Sequence, residues 1–296
     1  MTDSPAAPRR EGLRLQVLIA TMGAGGIQSV ATSAHPHVEG VEYLVGWQMP
    51  EGEVPEALRR PDFRILPHPT QGLSRNRNFL LDHASAPLAL ISDDDISYTE
   101  KGLRTVIEAF GRNPRADILT FRYGTGNGGK KYPAAGFDLS DPPKGYYLSS
   151  VEIALRSQAF NESGIRFNEN FGLGSDAFIS GEETILLHDT LHAGLHGRFV
   201  PETICYHPDE PTTGSREQLN PEQEIATAAV TSRLHPFTWP LRMVRHALRS
   251  KRFGFIPLIW AWLTGVDRAR RMKVWDTAPQ CGYPNRLIQD YGKESD

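Results

Sequence analysis

The stretch Gly72–Tyr98, GLSRNRNFLLDHASAPLALISDDDISY, decides the fold. Ser74 suits a helix N-cap, and Phe79, Leu80 and Ala84 supply one apolar helical face. Pro87 ends that helix, and Leu88-Ala89-Leu90-Ile91 is a short apolar run of buried-strand type. Asp93, Asp94 and Asp95 follow where the strand runs out. Two features work against folding economy. Arg75 and Arg77 fall in the first helical turn, where the macrodipole disfavours cations, and a bound anion would reverse that penalty. Three adjacent aspartates repel one another, and a divalent cation with a taste for hard oxygen ligands, Mg²⁺ or Mn²⁺, would relieve them. Such a pair of sites at the carboxyl edge of an α/β sheet points to a ligand carrying a diphosphate. The plainer readings stand beside these: arginines pointing into water, and an acidic turn.

Outward from this stretch, strand and helix patterns alternate. Leu13–Thr21 reads as a first central strand. It runs into Met22–Gly26, read either as a loop that lets a ligand approach the backbone or as a plain turn. Gln28 stands at the third glycine position of GxGxxG, so this is no dinucleotide fingerprint. Val41–Val45 and Phe63–Leu66 are further strands. Thr99 caps a helix with Leu103, Val106, Ile107 and Phe110 on one face, and Ile118–Phe121 is the next strand. The order implies an α/β fold with a mainly parallel sheet flanked by helices. From Tyr123 to Tyr147 the chain is long, glycine-rich and polar, the mark of a functional or mobile loop. Its Lys130 and Lys131 either meet phosphate or sit in a solvated turn. Val151–Leu155 resumes as a strand, and Ile165–Gly174 is a loop with apolar anchors. Gly181-Glu182-Glu183 opens a helix that ends at Gly194. Acidic residues suit its first turn, and two carboxylates at a helix mouth also offer a general base. Phe199–Pro201 and Ile204–Tyr206 read as two short strands, with His207 directly after them.

The 296 residues carry a formal charge of −3, a mild acidity that argues against nucleic acid as a partner. Cys205 and Cys281 fit no metal or redox spacing and read as reduced thiols. The polar start, MTDSPAAPRREG, lacks the apolar core of a secretory signal, so residues 1–12 are expected to be disordered and the protein cytoplasmic. Residues 13–232 form the main domain in this reading, and 233–296 a basic, aromatic helical extension. There, arginines and lysines bracket Phe253–Val266, a run too short to span a bilayer and interrupted by Pro257. Trp239, Trp260 and Trp262 among cations suit the anionic inner face of a cell membrane. A helix packed on the main domain is the other reading.

Taken in order, several motifs resemble family 2 glycosyltransferases of the GT-A fold, in their bacterial capsule and surface-polysaccharide branch. They are Leu18-Ile19-Ala20-Thr21, Gly72-Leu73-Ser74-Arg75-Asn76-Arg77-Asn78, Ser92-Asp93-Asp94-Asp95, Phe171-Gly172-Leu173-Gly174, Gly181-Glu182-Glu183 and His207-Pro208. The resemblance covers residues 13 to 210 and implies an inverting transfer of a sugar from a nucleotide-sugar donor to a saccharide or lipid-linked acceptor. Asp93 and Asp95 would be the DxD pair on Mn²⁺ or Mg²⁺, with Asp94 against the donor and His207 completing the metal shell. Thr21 would touch the nucleotide, and Arg77, with Arg75 less clearly placed, would face the diphosphate. Glu182-Glu183 matches the family's ED pair, which leaves the base between the two glutamates. The second strand ends Gly46-Trp47-Gln48, without the acidic pair that many members use to read the base. Rival readings are a nucleotidyltransferase, although MGAGGIQS lacks its usual cation, an aspartate-nucleophile phosphatase, and a catalytically silent sugar-binding protein at a membrane.

Overall fold

The computed structural model describes residues 12–126, 130–208, 220–249 and 254–274. The first eleven residues, Lys251, Arg252 and Phe253 of the tail, and Cys281 lie outside them. In chain order the elements are β1 (Leu15–Met22), α1 (Gly23–Thr32), β2 (Val41–Gln48), β3 (Phe63–His68), α2 (Leu73–His83), β4 (Leu88–Asp93), β5 (Ser97–Tyr98), α3 (Glu100–Arg112) and β6 (Ile118–Gly124). They continue with β7 (Phe137–Asp138), β8 (Ile153–Arg156), α4 (Ser157–Ser163), α5 (Glu182–His192), β9 (Gly197–Tyr206), α6 (Pro221–Leu234), α7 (Trp239–Arg249) and α8 (Phe255–Arg271).

One sheet runs β3-β2-β1-β4-β8-β6-β9-β5, with β7 also on β9. The first four strands are mutually parallel, and β8 is antiparallel to both β4 and β6. Alternation along β1 explains the two-sided core. Leu15, Val17 and Ile19 point to one face, where Ile27 of α1 and Val106 and Phe110 of α3 cover them. Leu18 and Ala20 point to the other face, beneath Leu80 of α2, Phe160 of α4 and Leu186 of α5. This period of two on a strand buried on both faces is what the expected α/β arrangement requires.

Four local expectations change. The glycine tract after β1 is no loop but the first turns of α1. A Cβ at Gly26 would lie 2.2 Å from Thr21 Oγ1 and 2.7 Å from Asp94 Oδ2, so only glycine lets the helix seat there. Ser74 does not cap α2, whose N-cap is Gly72. Its hydroxyl instead donates to the Phe171 carbonyl at 2.6 Å. The two short strands near residue 200 are one strand, β9. Between Thr120 and Arg122 its pairing moves from Phe199 to Thr203, and Pro201, which lacks a ladder N–H, lies in the resulting bulge. The boundary expected at 232/233 falls inside α6.

The tail packs on the main domain, as the second of its two readings expects. Leu258, Ala261, Trp262, Val266 and Ala269 bury one face of α8, and α6 and α8 share apolar clusters with Phe171, Phe178 and Ile185 of the main domain. The opposite face is open. Among the described residues no helix is long and apolar enough to cross a membrane.

Candidate active site

After β1 the chain builds outward through β2 and β3, then returns to place β4 on the other side of β1. The crevice at this switch of direction lies beyond the carboxyl ends of β1 and β4, the usual ligand position in an open α/β sheet. Thr21 stands at the end of β1, and Asp93 to Asp95 at the end of β4. Thr21 Oγ1 donates to Asp94 Oδ2 at 2.8 Å across the crevice.

Helix α2 ties the strand ends together. Asn76 Nδ2 donates to the Thr21 carbonyl (3.1 Å) and the Gly46 carbonyl (2.8 Å), and its Oδ1 meets His68 Nε2 at 3.1 Å. Gln48 Nε2 donates to the Gly72 carbonyl at 3.1 Å, so the residue at the end of β2 holds the mouth of α2. Asn78 exchanges hydrogen bonds with the backbone of Phe167. The sequence reading assigned no role to these polar residues. Their signal was a helix with buried Asn and Ser where a core helix should be apolar, which means that they hold backbone groups.

Arg77 is the centre of the arrangement, with its side chain only 1% exposed. Nη2 donates to Asp93 Oδ1 at 2.7 Å, and Nη1 donates to Glu182 Oε1 at 3.1 Å and lies 3.7 Å from Glu183 Oε1. Burial works against its charge, but Asp93, Glu182 and Glu183 outweigh that and hold it cationic. The anion that offsets the unfavourable dipole position is therefore supplied from within the chain. Arg77, expected to face the diphosphate, is buried among these three carboxylates. Arg75, half exposed beside Glu169 at 3.3 Å, lies at the surface.

The glutamates at the mouth of α5 differ. Glu182 is buried, with Oε1 on Arg77 and Oε2 without a hydrogen-bond partner among the described residues. Glu183 is 19% exposed at its side chain, more open than its neighbour. Burial, followed by the charge of Glu182, pushes the Glu183 carboxyl well above the usual range, with Arg77 pulling the other way. Gly172, at φ 104°, lets the preceding loop pass close by: a Cβ there would meet Ser74 Oγ at 3.0 Å and the Glu182 carboxyl carbon at 3.2 Å.

The three aspartates have separate partners. Asp93 is held by Arg77 and, on Oδ2, by Ser150 Oγ at 3.3 Å. Asp94 is held by Thr21, and its carboxyl is pushed up to about 6 by burial and then by Asp95 and Asp93. Asp95 Oδ2 lies 3.7 Å from His207 Nε2, while its buried Oδ1 has no partner among the described residues. His207 Nδ1 donates to the Pro208 carbonyl at 2.8 Å, which leaves Nε2 facing the Asp95 carboxylate. An imidazole nitrogen and a carboxylate are both ligand types that a divalent cation accepts. Among the described residues no three His, Cys, Asp or Glu side chains converge on one point. Two protein ligands nevertheless suit a cation such as Mg²⁺, which takes further oxygens from substrate phosphates and water. The residues fit on that ground, with Asp95 and His207 as donors and Asp93 largely committed elsewhere.

The long loop also departs from expectation. Lys130 is neither solvated nor open to phosphate. Its Nζ donates to Glu152 Oε1 at 2.6 Å, with both side chains buried, and it lies 4.0 Å from the Tyr147 ring centroid. This contact pins the loop to the base of β8.

Comparison with known proteins shows what the chain is similar to. Residues 52–175 match the model of glycosyl transferase family 2, a segment that includes α2 and the aspartates but ends before Glu182 and His207. No curated protein matches the chain by sequence. Among solved structures, TarS 1–349 of S. aureus in complex with UDP-GlcNAc aligns at a TM-score of 0.58 and 15% identity, over 89% of this chain and 84% of that one. A further structure of S. aureus TarS aligns at 0.53 and 15% identity, over 94% of this chain and 57% of that one. The mannosyltransferase PcManGT of Pyrobaculum calidifontis, in complex with GDP-Man and Mn²⁺, aligns at 0.51 and 13% identity, over 92% and 90%. Over residues 52–175 the chain is thus similar to the family 2 glycosyltransferases, and over most of its length it shares the GT-A fold of these structures.

Proposed function

We propose that this protein transfers a sugar, with inversion, from a nucleotide-diphosphate donor to a hydroxyl of a saccharide or lipid-linked acceptor, in the synthesis of a surface polysaccharide. The observation that carries the reading is the convergence on Arg77. One buried guanidinium joins the aspartate at the end of β4 to both glutamates at the mouth of α5. Donor and acceptor chemistry are thereby set against each other in one crevice. That TarS is seen with UDP-GlcNAc and PcManGT with GDP-Man and Mn²⁺ supports a nucleotide-sugar donor and a divalent ion.

In this reading the donor lies in the β1–β4 crevice, near Thr21 and Asp94. Asp95 and His207 hold Mn²⁺ or Mg²⁺, which neutralises charge on the diphosphate when bound. The acceptor oxygen attacks the anomeric carbon from the face opposite the diphosphate. The bond from that carbon to the phosphate oxygen breaks, and its electron pair leaves with the nucleotide diphosphate. Glu183, the more open glutamate, takes the acceptor hydroxyl proton, and Glu182 is fixed by Arg77 as its neighbour. The base is Glu183 because a group shut in by a guanidinium cannot reach an incoming hydroxyl. Arg77 acts as a positioning residue, holding three carboxylates in register without touching the donor.

A thermal-shift screen of UDP-, GDP-, CMP- and dTDP-sugars with and without Mn²⁺ tests the proposal. At least one donor should stabilise the wild type only when the ion is present, and Asp95→Ala should abolish the shift without loss of fold. No shift with any donor, or one that is unchanged in Asp95→Ala, would refute the assignment.

A further inference from the structure

The tail presents an apolar face that no other described residue covers. On α7, Leu241, Val244 and Leu248 recur at spacings of three and four, with Leu241 75% and Leu248 74% exposed. On α8, Ile256, Trp260 and Leu263 follow the same spacing, with Ile256 79% exposed. The two helices are neighbours, since Ala247 of α7 packs with Leu258 and Trp262 of α8. Single exposed apolar residues need no account, but two stripes at helical period on adjacent helices do. The inward faces are already occupied, so these stripes do not await the rest of this domain.

Charge identifies the occupant. Between Arg242 and Lys273 the sequence holds nine lysines and arginines and a single acidic residue, Asp267, in a chain whose net charge is −3. On α7, Arg245 and Arg249 each follow directly after Val244 and Leu248, and both are exposed. A second copy of this face would bring like charges together, which disfavours self-association. An anionic lipid surface accepts both the apolar stripe and the flanking arginines, and an exposed tryptophan suits the headgroup boundary. We propose that the outer face of α7 and α8 lies on an anionic phospholipid membrane, with Leu241, Leu248, Ile256 and Trp260 inserted at the acyl boundary.

The site gains from this placement. Arg268 of α8 donates to the Ala177 carbonyl (2.9 Å) and to Glu222 (2.8 Å), and so fastens the tail to the loop that leads into Glu182 and Glu183. A membrane seat for α7 and α8 fixes the height of those glutamates above the bilayer, as a lipid-linked acceptor requires. This purpose rests on the transferase reading, whereas the surface itself does not.

The test is flotation of the full chain with vesicles of phosphatidylglycerol and, separately, phosphatidylcholine. Wild type should float with the anionic vesicles and not with the neutral ones, and Leu241→Asp/Leu248→Asp should reduce partition at least tenfold. Arg249→Glu should reduce it about fivefold for the cation lost, and further for the charge added. Both variants change exposed positions outside the crevice, so circular dichroism and nucleotide-sugar binding without vesicles should match wild type. Failure of the wild type to float, equal flotation on neutral lipid, or undiminished flotation of the aspartate variant would overturn the proposal. So would a wild-type dimer in sedimentation that the aspartate variant converts to monomer, since the face would then be a self-association surface. If flotation behaves as expected and no nucleotide-sugar binds, the transferase reading fails and the membrane surface stands.

Discussion

Replacing Arg77 by methionine is the most informative single change. Methionine keeps much of the aliphatic bulk and removes the guanidinium, leaving Asp93, Glu182 and Glu183 facing one another with no internal cation. Removing one partner of a buried ion pair costs about 3–5 kcal/mol, a large share of a total stability of about 5–15 kcal/mol. In a protein of this size that is a fall in Tm on the order of 10 °C. The loss should also depend on pH in a defined sense. Glu183 already holds its proton more tightly folded than unfolded, and Arg77 is what opposes this. Without Arg77 the folded cluster binds a further proton beyond the one that Glu183 already retains in the wild type, at pH values above the ordinary glutamate range. Stability then falls as pH rises, by up to about 1.4 kcal/mol per unit for each extra proton. Urea unfolding at pH 6 and pH 8 should therefore show a deficit that grows by about 2–3 kcal/mol between the two. Adding Glu182→Gln should recover part of the loss, because the two positions are coupled. A deficit under about 1 kcal/mol, or one that is the same at both pH values, would show that Arg77 does not hold these carboxylates together.

Other expectations are more local. Asp94, raised to about 6, holds its proton in the folded protein where the unfolded chain has lost it, so ligand-free stability should decline between about pH 4 and 6. Asp94→Asn should flatten that part of a Tm–pH profile, and an unchanged slope would contradict the shift. Glu183→Gln should lower turnover by about 10²- to 10⁴-fold with donor affinity nearly intact. The rate of the wild type should climb with pH above the ordinary glutamate range, since the base works only when deprotonated. If Glu182→Gln is the inactive variant and Glu183→Gln the active one, the base is Glu182. Lys130→Met strands the buried Glu152 carboxylate and should cost about 3–5 kcal/mol by denaturant unfolding. Most of that should return in Lys130→Met/Glu152→Gln, and a double variant no better than the single would argue against the pair.

What the sequence disclosed, and what it hid, follow from the range of the interactions involved. Alternating strand and helix patterns, the Thr99 cap and the placement of the aspartates at a strand end are local facts, and all were legible. The role of Arg77 was not. Its partner Glu182 is 105 residues away, and a cation in a first helical turn gives no sign whether its anion comes from a ligand or from the chain itself. The glycine tract misled for a related reason. Glycine lowers helix propensity by about 1 kcal/mol per residue, but the gap between α1 and the Thr21–Asp94 pair admits nothing larger at position 26, and tertiary fit prevailed. Ser74 and Lys130 were read from their neighbours in sequence, as a cap and as a turn. Both are used instead by distant segments, the Phe171 loop and Glu152.

The same long-range ties bear on how the tail should be studied. From composition alone, residues after 232 read as a detachable extension. Yet Arg233 forms a two-pronged ion pair with Asp189 of α5, through Nη1 at 2.9 Å and Nη2 at 2.8 Å, and its Nε donates to the Val274 carbonyl. Burial pushes the Asp189 carboxyl up, but His188 and Arg233 outweigh it and hold the group below its usual range. Truncation at Ser232 would leave Asp189 as a buried charge without its guanidinium. It would also strip Ala261 and Ala269 from the cluster that covers Phe171, Phe178 and Ile185. Those residues flank the loop and helix that carry Glu182 and Glu183, so a truncated protein would lose activity through its active site whether or not it had ever met a membrane. The two roles separate only by changes on the outer face. That face can be made polar at Leu241, Leu248 or Trp260 while the inner face still braces α5, and the geometry of the glutamates then stays constant as membrane affinity varies.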